Sequence, residues 1–396
     1  MANPLTPGLA RPFGRFRVAL VLGTRPEAIK MAPVVRALEA WPGLFQPMVI
    51  STSQQREMLV QTMAAVGLTP DIDLGLTHAN TTLAEFTAQA MVALTSTFQQ
   101  HRPNLLLVQG DTSTVAAAAL AAFYQNIPIG HVEAGLRSGD MHRPFPEEGN
   151  RRIAAIAADL HFAPTTRARE NLLQEGIPAG DIHVTGNTAV DALMSIAPRT
   201  DFDDAALRAV DWQGKRVVLV TVHRRENLGE HLAGLCQAFT RIAREHPDVE
   251  LVFPVHLNPR VREVVFTALR DVPGITLLEP LSYPDLLEVM RRAHFVMSDS
   301  GGIQEEAPAL RKPILVLRGV TERPEVVEAG FGRLIGADPD LVVAAARQLL
   351  SDEALHRRMS SGTNPFGDGH AAERIVQIIS DRFRLQVPAL TLAASG

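Results

Sequence analysis

Short apolar runs alternate with longer segments of mixed polarity along almost the whole chain. A continuous apolar run of about four to eight residues is typical of a strand buried on both faces, and the segments between such runs predict helices. The predicted strands are Arg17–Leu22, Gln46–Ser51, Asn104–Val108, Ile127–His131, Asp159–Ala163, Ile182–Val184, Arg216–Val222, Val249–Val255, Ile275–Leu278, His294–Met297 and Ile314–Leu317. This alternation predicts an α/β fold with mostly parallel sheets and helices on both faces.

The length of the chain predicts two domains, because 396 residues exceed one ordinary hydrophobic core. We place a disordered tail at residues 1–16, a Rossmann-like domain at 17–190 and a second one at 191–369. Residues 370–396 are predicted to form a C-terminal helix and tail that pack back on the N-terminal domain. The acidic segment Asn187–Gly214 is interpreted as the crossing between the domains, which would face each other across a central cleft.

The strongest candidate site lies in Ser298–Glu306, where an apolar strand is followed by two glycines and a predicted helix at Gln304–Leu310. A helix N-terminus presents unpaired N–H groups and partial positive charge, which suits a phosphate. Glycine lets a ligand approach the backbone closely. The alternative is a strand–helix turn that binds nothing, because paired glycines are common in turns.

Basic residues stand at the end of the first strand, where Arg25 and Lys30 flank the start of a second predicted helix. Open α/β sheets bind ligands at the carboxyl ends of their strands, so we favour ligand contact over the alternative of solvated surface charge. The stretch lacks the G-x-G-x-x-G pattern, which argues against a nicotinamide site.

Several carboxylates and one histidine also follow predicted strands or open helices. Asp111 and Glu133 end two successive strands, and for Asp111 the alternative is an N-cap of the next helix. Glu147 opens a helix after a proline-rich loop, a position where acidic residues are ordinary. His223 ends the strand Arg216–Val222, where it is a candidate for charge contact or proton transfer, and a structural histidine is the alternative.

Composition and net charge restrict the kinds of partner that the protein could bind. The net charge of -5 provides no basic surface for nucleic acid, and no apolar stretch has transmembrane length. The single cysteine, Cys236, allows no disulfide within the chain, and no His/Cys spacing indicates a metal site. The N-terminal residues do not have the pattern of a signal peptide. We therefore expect a cytoplasmic protein with no membrane, nucleic-acid or metal partner.

Taken together, five motifs give the chain a family resemblance. They are Gly23–Lys30, Gly110–Thr112, His131–Arg137, His223–Asn227 and Ser298–Gly302. In this order they resemble the non-hydrolysing UDP-N-acetylglucosamine 2-epimerases. The resemblance implies the two-domain glycosyltransferase-B architecture, interconversion of UDP-GlcNAc and UDP-ManNAc, a homodimer, and no cofactor beyond the UDP-sugar substrate. It also implies a supply of ManNAc-type sugars for cell-surface polysaccharide.

The same resemblance implies roles for single residues. Four of them would line the reaction centre, namely Asp111, Glu133, Glu147 and His223. Nine would bind the nucleotide sugar, namely Arg25, Lys30, Leu281, Leu286, Ser300, Gly301, Gly302, Glu306 and Arg323. Among these, Ser300, Gly301 and Gly302 would hold the diphosphate, Glu306 the ribose, and the two leucines the uracil. Gln54, Arg224 and His256 agree with the family's allosteric branch, whereas Glu57 and Asn80 stand where that branch has Gln and Arg.

Chemistry favours one route for such an epimerisation. Carbon 2 of the sugar has no neighbouring carbonyl group, so direct proton removal would give an unstabilised carbanion. Elimination of UDP to 2-acetamidoglucal, followed by re-addition, avoids that problem and needs cations for the leaving group and acid/base groups at carbon 2. The alternatives are a retaining glycosyltransferase of the same architecture, an epimerase for a modified UDP-GlcNAc, and a non-catalytic binding module.

Overall fold

The computed structural model describes residues 14–54, 56–76, 81–224 and 227–385, with only the backbone described for residues 56–58. The predicted N-terminal tail therefore lies almost wholly outside the described residues. The same holds for Asn80, the Glu57 side chain, Arg225 and Glu226 of the fourth motif, and the chain after Leu385. None of the described helices has both the length and the apolar character that a membrane crossing needs.

Within these ranges, the first half of the chain forms a seven-stranded parallel sheet. Its strands are β1 (Phe16–Leu22), β2 (Phe45–Ser51), β3 (Ile72–Asp73), β4 (Leu105–Gln109), β5 (Ile129–Val132), β6 (Leu160–Ala163) and β7 (Ile182–Val184). Its helices are α1 (Arg25–Glu39), α2 (Arg56–Ala65), α3 (Leu83–His101), α4 (Ser113–Phe123), α5 (Glu147–Ala157), α6 (Thr166–Gln174) and α7 (Thr188–Ser195). The strand order is β3-β2-β1-β4-β5-β6-β7. Its central strands are almost entirely buried, because helices cover both faces.

The second half forms a six-stranded parallel sheet in the described residues, in the order β10-β9-β8-β11-β12-β13. Its strands are β8 (Arg216–Thr221), β9 (Val249–Pro254), β10 (Ile275–Leu278), β11 (Phe295–Ser298), β12 (Ile314–Val316) and β13 (Gly332–Leu334). Its helices are α8 (Ala205–Arg208), α9 (Glu230–Glu245), α10 (Pro259–Leu269), α11 (Tyr283–Arg292), α12 (Gly301–Ala309), α13 (Glu325–Glu328), α14 (Pro339–Ser351) and α15 (Glu353–Met359). The predicted α/β fold of glycosyltransferase-B type, with mostly parallel sheets, is confirmed.

The last helix in the described residues, α16 (Ala371–Arg382), packs on the first sheet's side of the molecule. Ile375, Val376 and Ile379 join the same apolar cluster as α1. The Asp191 carboxylate on α7 accepts a hydrogen bond from the backbone N–H of Ala372 at 2.7 Å. These contacts hold α16 against the first half of the chain.

Two sequence expectations are corrected here. The helix predicted at Gln304–Leu310 begins at Gly301, so the two glycines are its first residues rather than part of a turn before it. Glycine has a low helix propensity, which hides a helix start that tertiary packing nevertheless fixes. The segment Asn187–Gly214 is not simply a connection, because it contains α7 and α8.

Candidate functional site

The start of α12 lies at the carboxyl edge of the second sheet and is arranged for an anion. Ser300 is the N-cap residue, yet its side chain makes no capping hydrogen bond. The Ser300 N–H instead donates to the Ser298 hydroxyl at 2.9 Å. A β-carbon built on Gly302 would have no neighbouring heavy atom closer than the Ser300 hydroxyl at 4.0 Å. The first N–H groups of α12 are therefore free of a side-chain cap and open to close approach.

Two cations and two carboxylates join the carboxyl edges of the two sheets beside this helix. Lys30 on α1 pairs with Glu133, which directly follows β5, and its Nζ lies 2.7 Å from Oε2 of Glu305 on α12. Glu305 also pairs with Nε of Arg323, whose Nη2 lies 3.8 Å from Oε1 of Glu133. We call Lys30, Glu133, Glu305 and Arg323 the ion-pair ring. All four residues are buried.

The two carboxylates of the ion-pair ring have pKa values that are shifted in opposite directions. Burial and the charge of Glu305 raise the pKa of Glu133 above its ordinary value, although Lys30 and Arg323 oppose this. Burial acts on Glu305 in the same direction, but Arg323 and Lys30 outweigh it and hold the pKa of Glu305 below its usual range. Of the two, Glu133 is therefore the group that takes up a proton more readily.

Asp111 lies at the end of β4 and pairs with Arg151 on α5. Its side chain is 26% exposed and therefore remains partly accessible. The cap of α4 is Thr112, whose hydroxyl accepts the Val115 N–H at 3.3 Å. The alternative interpretation of Asp111 as a helix cap is therefore wrong.

The two glutamates at the start of α5, Glu147 and Glu148, differ in burial and in their contacts. Glu148 is fully buried, accepts the Ser138 N–H at 3.1 Å and pairs with Arg151 and Arg152. Glu147 is the first residue of the helix and half-buried. Within the described part of the chain, its carboxylate makes no hydrogen bond or ion pair, which leaves it available for other contacts.

His223 follows β8 and is held by Asp299, a residue to which the sequence reasoning gave no role. The Asp299 carboxylate is fully buried, and its Oδ1 lies 3.0 Å from the His223 ring Nδ1. It also accepts the backbone N–H groups of His223 and Arg224 and the Asn227 side-chain amide at 2.9 Å. This anchoring fixes the orientation of the imidazole, whose side chain remains 35% exposed.

A second group of residues links α1 to α12. The hydroxyl of Tyr283, the first residue of α11, donates to Glu306 Oε1 at 2.9 Å. Burial raises the pKa of Glu306 to about 7, against the lowering effect of this hydrogen bond. Burial lowers the pKa of Arg25, and the charges of Glu306 and Tyr283 oppose that shift. Arg25, Glu306 and Tyr283 therefore share one electrostatic environment.

The remaining predicted residues lie on both halves of the chain. Leu281 is buried and Leu286 partly buried in an apolar cluster of the second sheet. Gln54 follows β2 and accepts a hydrogen bond from the Thr114 hydroxyl at 2.8 Å. The His256 ring stacks on His223 with centroids 5.8 Å apart, and the Arg224 backbone lies beside Asp299.

The structure places in the site several residues that were not predicted to be site residues. Glu305 completes the ion-pair ring, and the Asn187 amide donates to Glu133 Oε2 at 3.0 Å. Glu27 accepts the N–H groups of Gly23 and Thr24 and shapes the turn before α1. Glu305 carried only a partial signal, because an acidic residue within a buried helical segment requires a cation, but the sequence does not show which cation. Asn187 carried no such signal.

Chemically, the site combines an uncapped helix start with a buried cluster that can exchange a proton. Lys30, Arg323 and the N–H groups of α12 supply positive charge for a phosphate-containing ligand. Within the described residues, no group of three or more His, Cys, Asp or Glu side chains is arranged to hold a metal ion.

Comparisons with known proteins find similarity to UDP-N-acetylglucosamine 2-epimerases. The family model for UDP-N-acetylglucosamine 2-epimerase matches residues 36–380. The UDP-N-acetylglucosamine 2-epimerase of Bacillus subtilis is 48% identical over 364 residues, covering 92% of this chain and 94% of that protein. The crystal structure of a putative UDP-N-acetylglucosamine 2-epimerase from Listeria monocytogenes is similar with a TM-score of 0.90 and 44% identity, covering 95% and 99%. That of UDP-GlcNAc 2-epimerase from Neisseria meningitidis bound to UDP-GlcNAc gives a TM-score of 0.87 and 40% identity, covering 92% and 100%.

Proposed function

This chain belongs to the UDP-N-acetylglucosamine 2-epimerase family, and on that premise we propose that it interconverts UDP-GlcNAc and UDP-ManNAc by eliminating UDP and adding it back. The observation that carries the proposal is the ion-pair ring beside the uncapped start of α12. It brings phosphate-binding charge and a protonatable carboxylate to one place where two sheet edges meet.

The diphosphate would sit at the first turn of α12. Its negative charge would face the N–H groups that follow Ser300 and the guanidinium of Arg323, which packs against Gly301. When the C1–O bond breaks, the oxygen that was bonded to carbon 1 gains negative charge. Preorganised positive charge therefore stabilises the departing diphosphate more than the bound substrate, and this difference lowers the barrier for elimination. Arg25 and Lys30 would complete the cationic side, and Glu306 would accept ribose hydroxyls.

The proton chemistry needs groups on both faces of carbon 2. In elimination, the C2–H bond and the C1–O bond break, the C1–C2 double bond forms, and a carboxylate takes the proton. In re-addition, a proton reaches carbon 2 on the opposite face while the diphosphate oxygen bonds to carbon 1 again. Glu133, Asp111 and Glu147 are the proposed acid/base groups, and His223 a further contact. The raised pKa of Glu133 suits a residue that both takes and gives a proton.

Wider features of this function stay predictions. The resemblance leads us to propose a homodimer in the cytoplasm that supplies ManNAc-type sugars for polysaccharide synthesis. We also propose the division of the chain at residues 190 and 369, with Leu281 and Leu286 lining the uracil.

The decisive experiment supplies UDP-GlcNAc without any acceptor, in heavy water, and follows both sugar nucleotides by NMR. We expect UDP-ManNAc to form and deuterium to appear at carbon 2 of both sugars. Epimerisation that retains the original hydrogen would overturn the elimination mechanism. Release of free UDP without epimerisation, or no reaction, would overturn the proposed activity.

A further inference from the structure

The proposed function gives Glu305 no step of its own, although Glu305 pairs with both cations of the ion-pair ring. Its side chain is fully buried, and a buried carboxylate is costly unless cations pair with it. Here the two cations come from different halves of the molecule. Lys30 belongs to α1 in the first half, and Arg323 belongs to the loop after β12 in the second half.

Building on the proposed function, we propose that Glu305 is a positioning residue for the reaction. It remains ionised throughout turnover, aligns Lys30 and Arg323 for the diphosphate, and through its negative charge keeps Glu133 ready to hold a proton. Glu305 itself need not touch the substrate.

Geometry supports the first part of this role. Lys30 Nζ sits between Glu133 and Glu305, and the Arg323 guanidinium spans the same two carboxylates from the other side. Without Glu305, each cation would keep only one carboxylate of the ion-pair ring. A flexible lysine held from two sides loses less conformational freedom when the diphosphate binds, and this preorganisation favours catalysis.

Electrostatics supports the second part. The charged and titratable groups that face Glu305 are Lys30 on α1, Glu133 after β5, Arg323 after β12, Glu306 on its own helix and Tyr283 on α11. The two cations stabilise the ionised form of Glu305, whereas Glu305 disfavours a negative charge on Glu133. When the environments of neighbouring carboxyl groups differ in this way, one group serves as fixed charge and the other as proton carrier.

The test is the pH dependence of kcat for Glu305→Gln, a substitution that keeps the shape and removes the charge. Loss of the negative charge lowers the pKa of Glu133, whether Glu133 acts as acid or base. We expect kcat to fall at least about tenfold. We also expect the limb of the pH profile that reports Glu133 to move to lower pH by about one unit. A profile that keeps its position while kcat falls would overturn the proposal.

Two further variants separate this role from a structural one. Glu305→Asp keeps the charge, so it should leave the pH limb close to that of the wild type even if kcat decreases. Glu325→Gln is the matched control, because Glu325 is a buried carboxylate that also bridges the two halves, through the Thr165 hydroxyl at 2.6 Å. Glu325→Gln should lower thermal stability without moving the limb. An equal shift in both Gln variants would overturn the proposal.

If Glu305→Gln folds but has no activity, proton uptake on UDP binding is a measurement that needs no turnover. The diphosphate should draw a proton onto Glu133, so calorimetry of UDP binding in buffers of different ionisation enthalpy should detect proton uptake by the wild type. Compared at the same pH, this uptake should be smaller than the wild-type value in Glu305→Gln and equal to it in Glu325→Gln. Equal uptake in all three proteins would contradict the role of Glu305. A wild type that binds UDP but fails to epimerise would instead contradict the proposed function.

Discussion

Gly301 lies so close to the guanidinium of Arg323 that a β-carbon on Gly301 would stand 2.6 Å from Nη1 and 2.8 Å from Cζ. Arg323 has little room to withdraw, because Glu305 and Glu322 both pair with it. We therefore predict that Gly301→Ala displaces the guanidinium, lowers the free energy of unfolding by about 1–3 kcal/mol and weakens UDP binding. Thermal unfolding and calorimetry measure the two effects.

The neighbouring glycine provides a matched comparison. An alanine at position 302 meets nothing closer than 4.0 Å, so Gly302→Ala should keep or slightly raise stability, by up to about 1 kcal/mol, since alanine favours the helix. UDP affinity should nevertheless fall, because the added methyl group occupies the space proposed for the diphosphate. Unchanged UDP affinity in Gly302→Ala would place the diphosphate elsewhere.

Tyr283→Phe tests whether ionised Glu306 binds the nucleotide. The hydrogen bond from Tyr283 lowers the pKa of Glu306, so its loss should raise that pKa above about 7. Less Glu306 is then ionised near neutral pH, and UDP affinity should fall roughly two- to tenfold there. The loss should diminish as the pH rises through the new pKa. Calorimetry across pH measures this, with the exposed Tyr124→Phe as control. A pH-independent loss would contradict the role of Glu306 ionisation.

Amide substitutions test the proposed acid/base groups. Asp111→Asn, Glu133→Gln and Glu147→Gln should each lower kcat about a hundredfold or more, with smaller changes in UDP affinity. Glu148→Gln is the natural contrast, because Glu148 bonds to Ser138, Arg151 and Arg152 and should mainly affect stability. Steady-state kinetics and thermal unfolding separate the two classes. A variant with near-normal kcat would remove that residue from the proton chemistry.

Most of the fold was predictable from the sequence because most of its strands are apolar runs separated by helical segments. Ile182–Val184 and Ile275–Leu278 have the predicted boundaries, and the other predicted strands differ by one or two residues at their ends. The two strands that the sequence did not indicate, β3 and β13, have two and three residues. Neither of them is an apolar run, since β3 includes Asp73 and β13 consists of a glycine, Arg333 and a single leucine.

The candidate site was predictable only in part. Lys30 and Glu133 stand in recognisable motifs that follow strands, and Arg323 stands in a loop after another strand. The structure brings these three residues together. Their partner Glu305 was not predicted, because its importance arises from its ion pair with Lys30, which lies 275 positions (305 minus 30) earlier in the chain. Neither local propensity nor spacing predicts such a long-range charge contact.

Regulation by UDP-GlcNAc is predicted to be weak or absent. Gln54, Arg224 and His256 agree with the allosteric branch of the family, but Asn80 replaces an arginine and Glu57 a glutamine. Loss of one charge-assisted hydrogen bond costs roughly 1.5–3 kcal/mol, or about ten- to a hundredfold in affinity. The measurement is the initial rate from pure UDP-ManNAc, with and without a trace of UDP-GlcNAc. A long lag that the trace abolishes would show that the regulatory site works.

Asp299→Asn should disrupt the setting of His223. The Asp299 carboxylate accepts two backbone N–H groups and the Asn227 amide, and an asparagine has only one oxygen to offer them. We expect kcat to fall at least about tenfold, and the free energy of unfolding to fall by roughly 1.5–3 kcal/mol at neutral pH.

The stability difference between wild type and Asp299→Asn should depend on pH. Burial tends to raise the pKa of Asp299, but the His223 ring, the Arg224 N–H and the Asn227 amide prevail and hold that pKa below its ordinary value. Stabilisation by the ionised form is therefore complete above the unfolded-state pKa of about 3.9 and is lost as the pH falls through the lower folded-state value. Thermal unfolding from neutral to acidic pH should show the two proteins converging below about pH 4. The exposed Asp203→Asn should stay close to the wild type at neutral pH. A difference for Asp299→Asn that persists unchanged into acid would show that shape, rather than charge, is what Asp299 contributes.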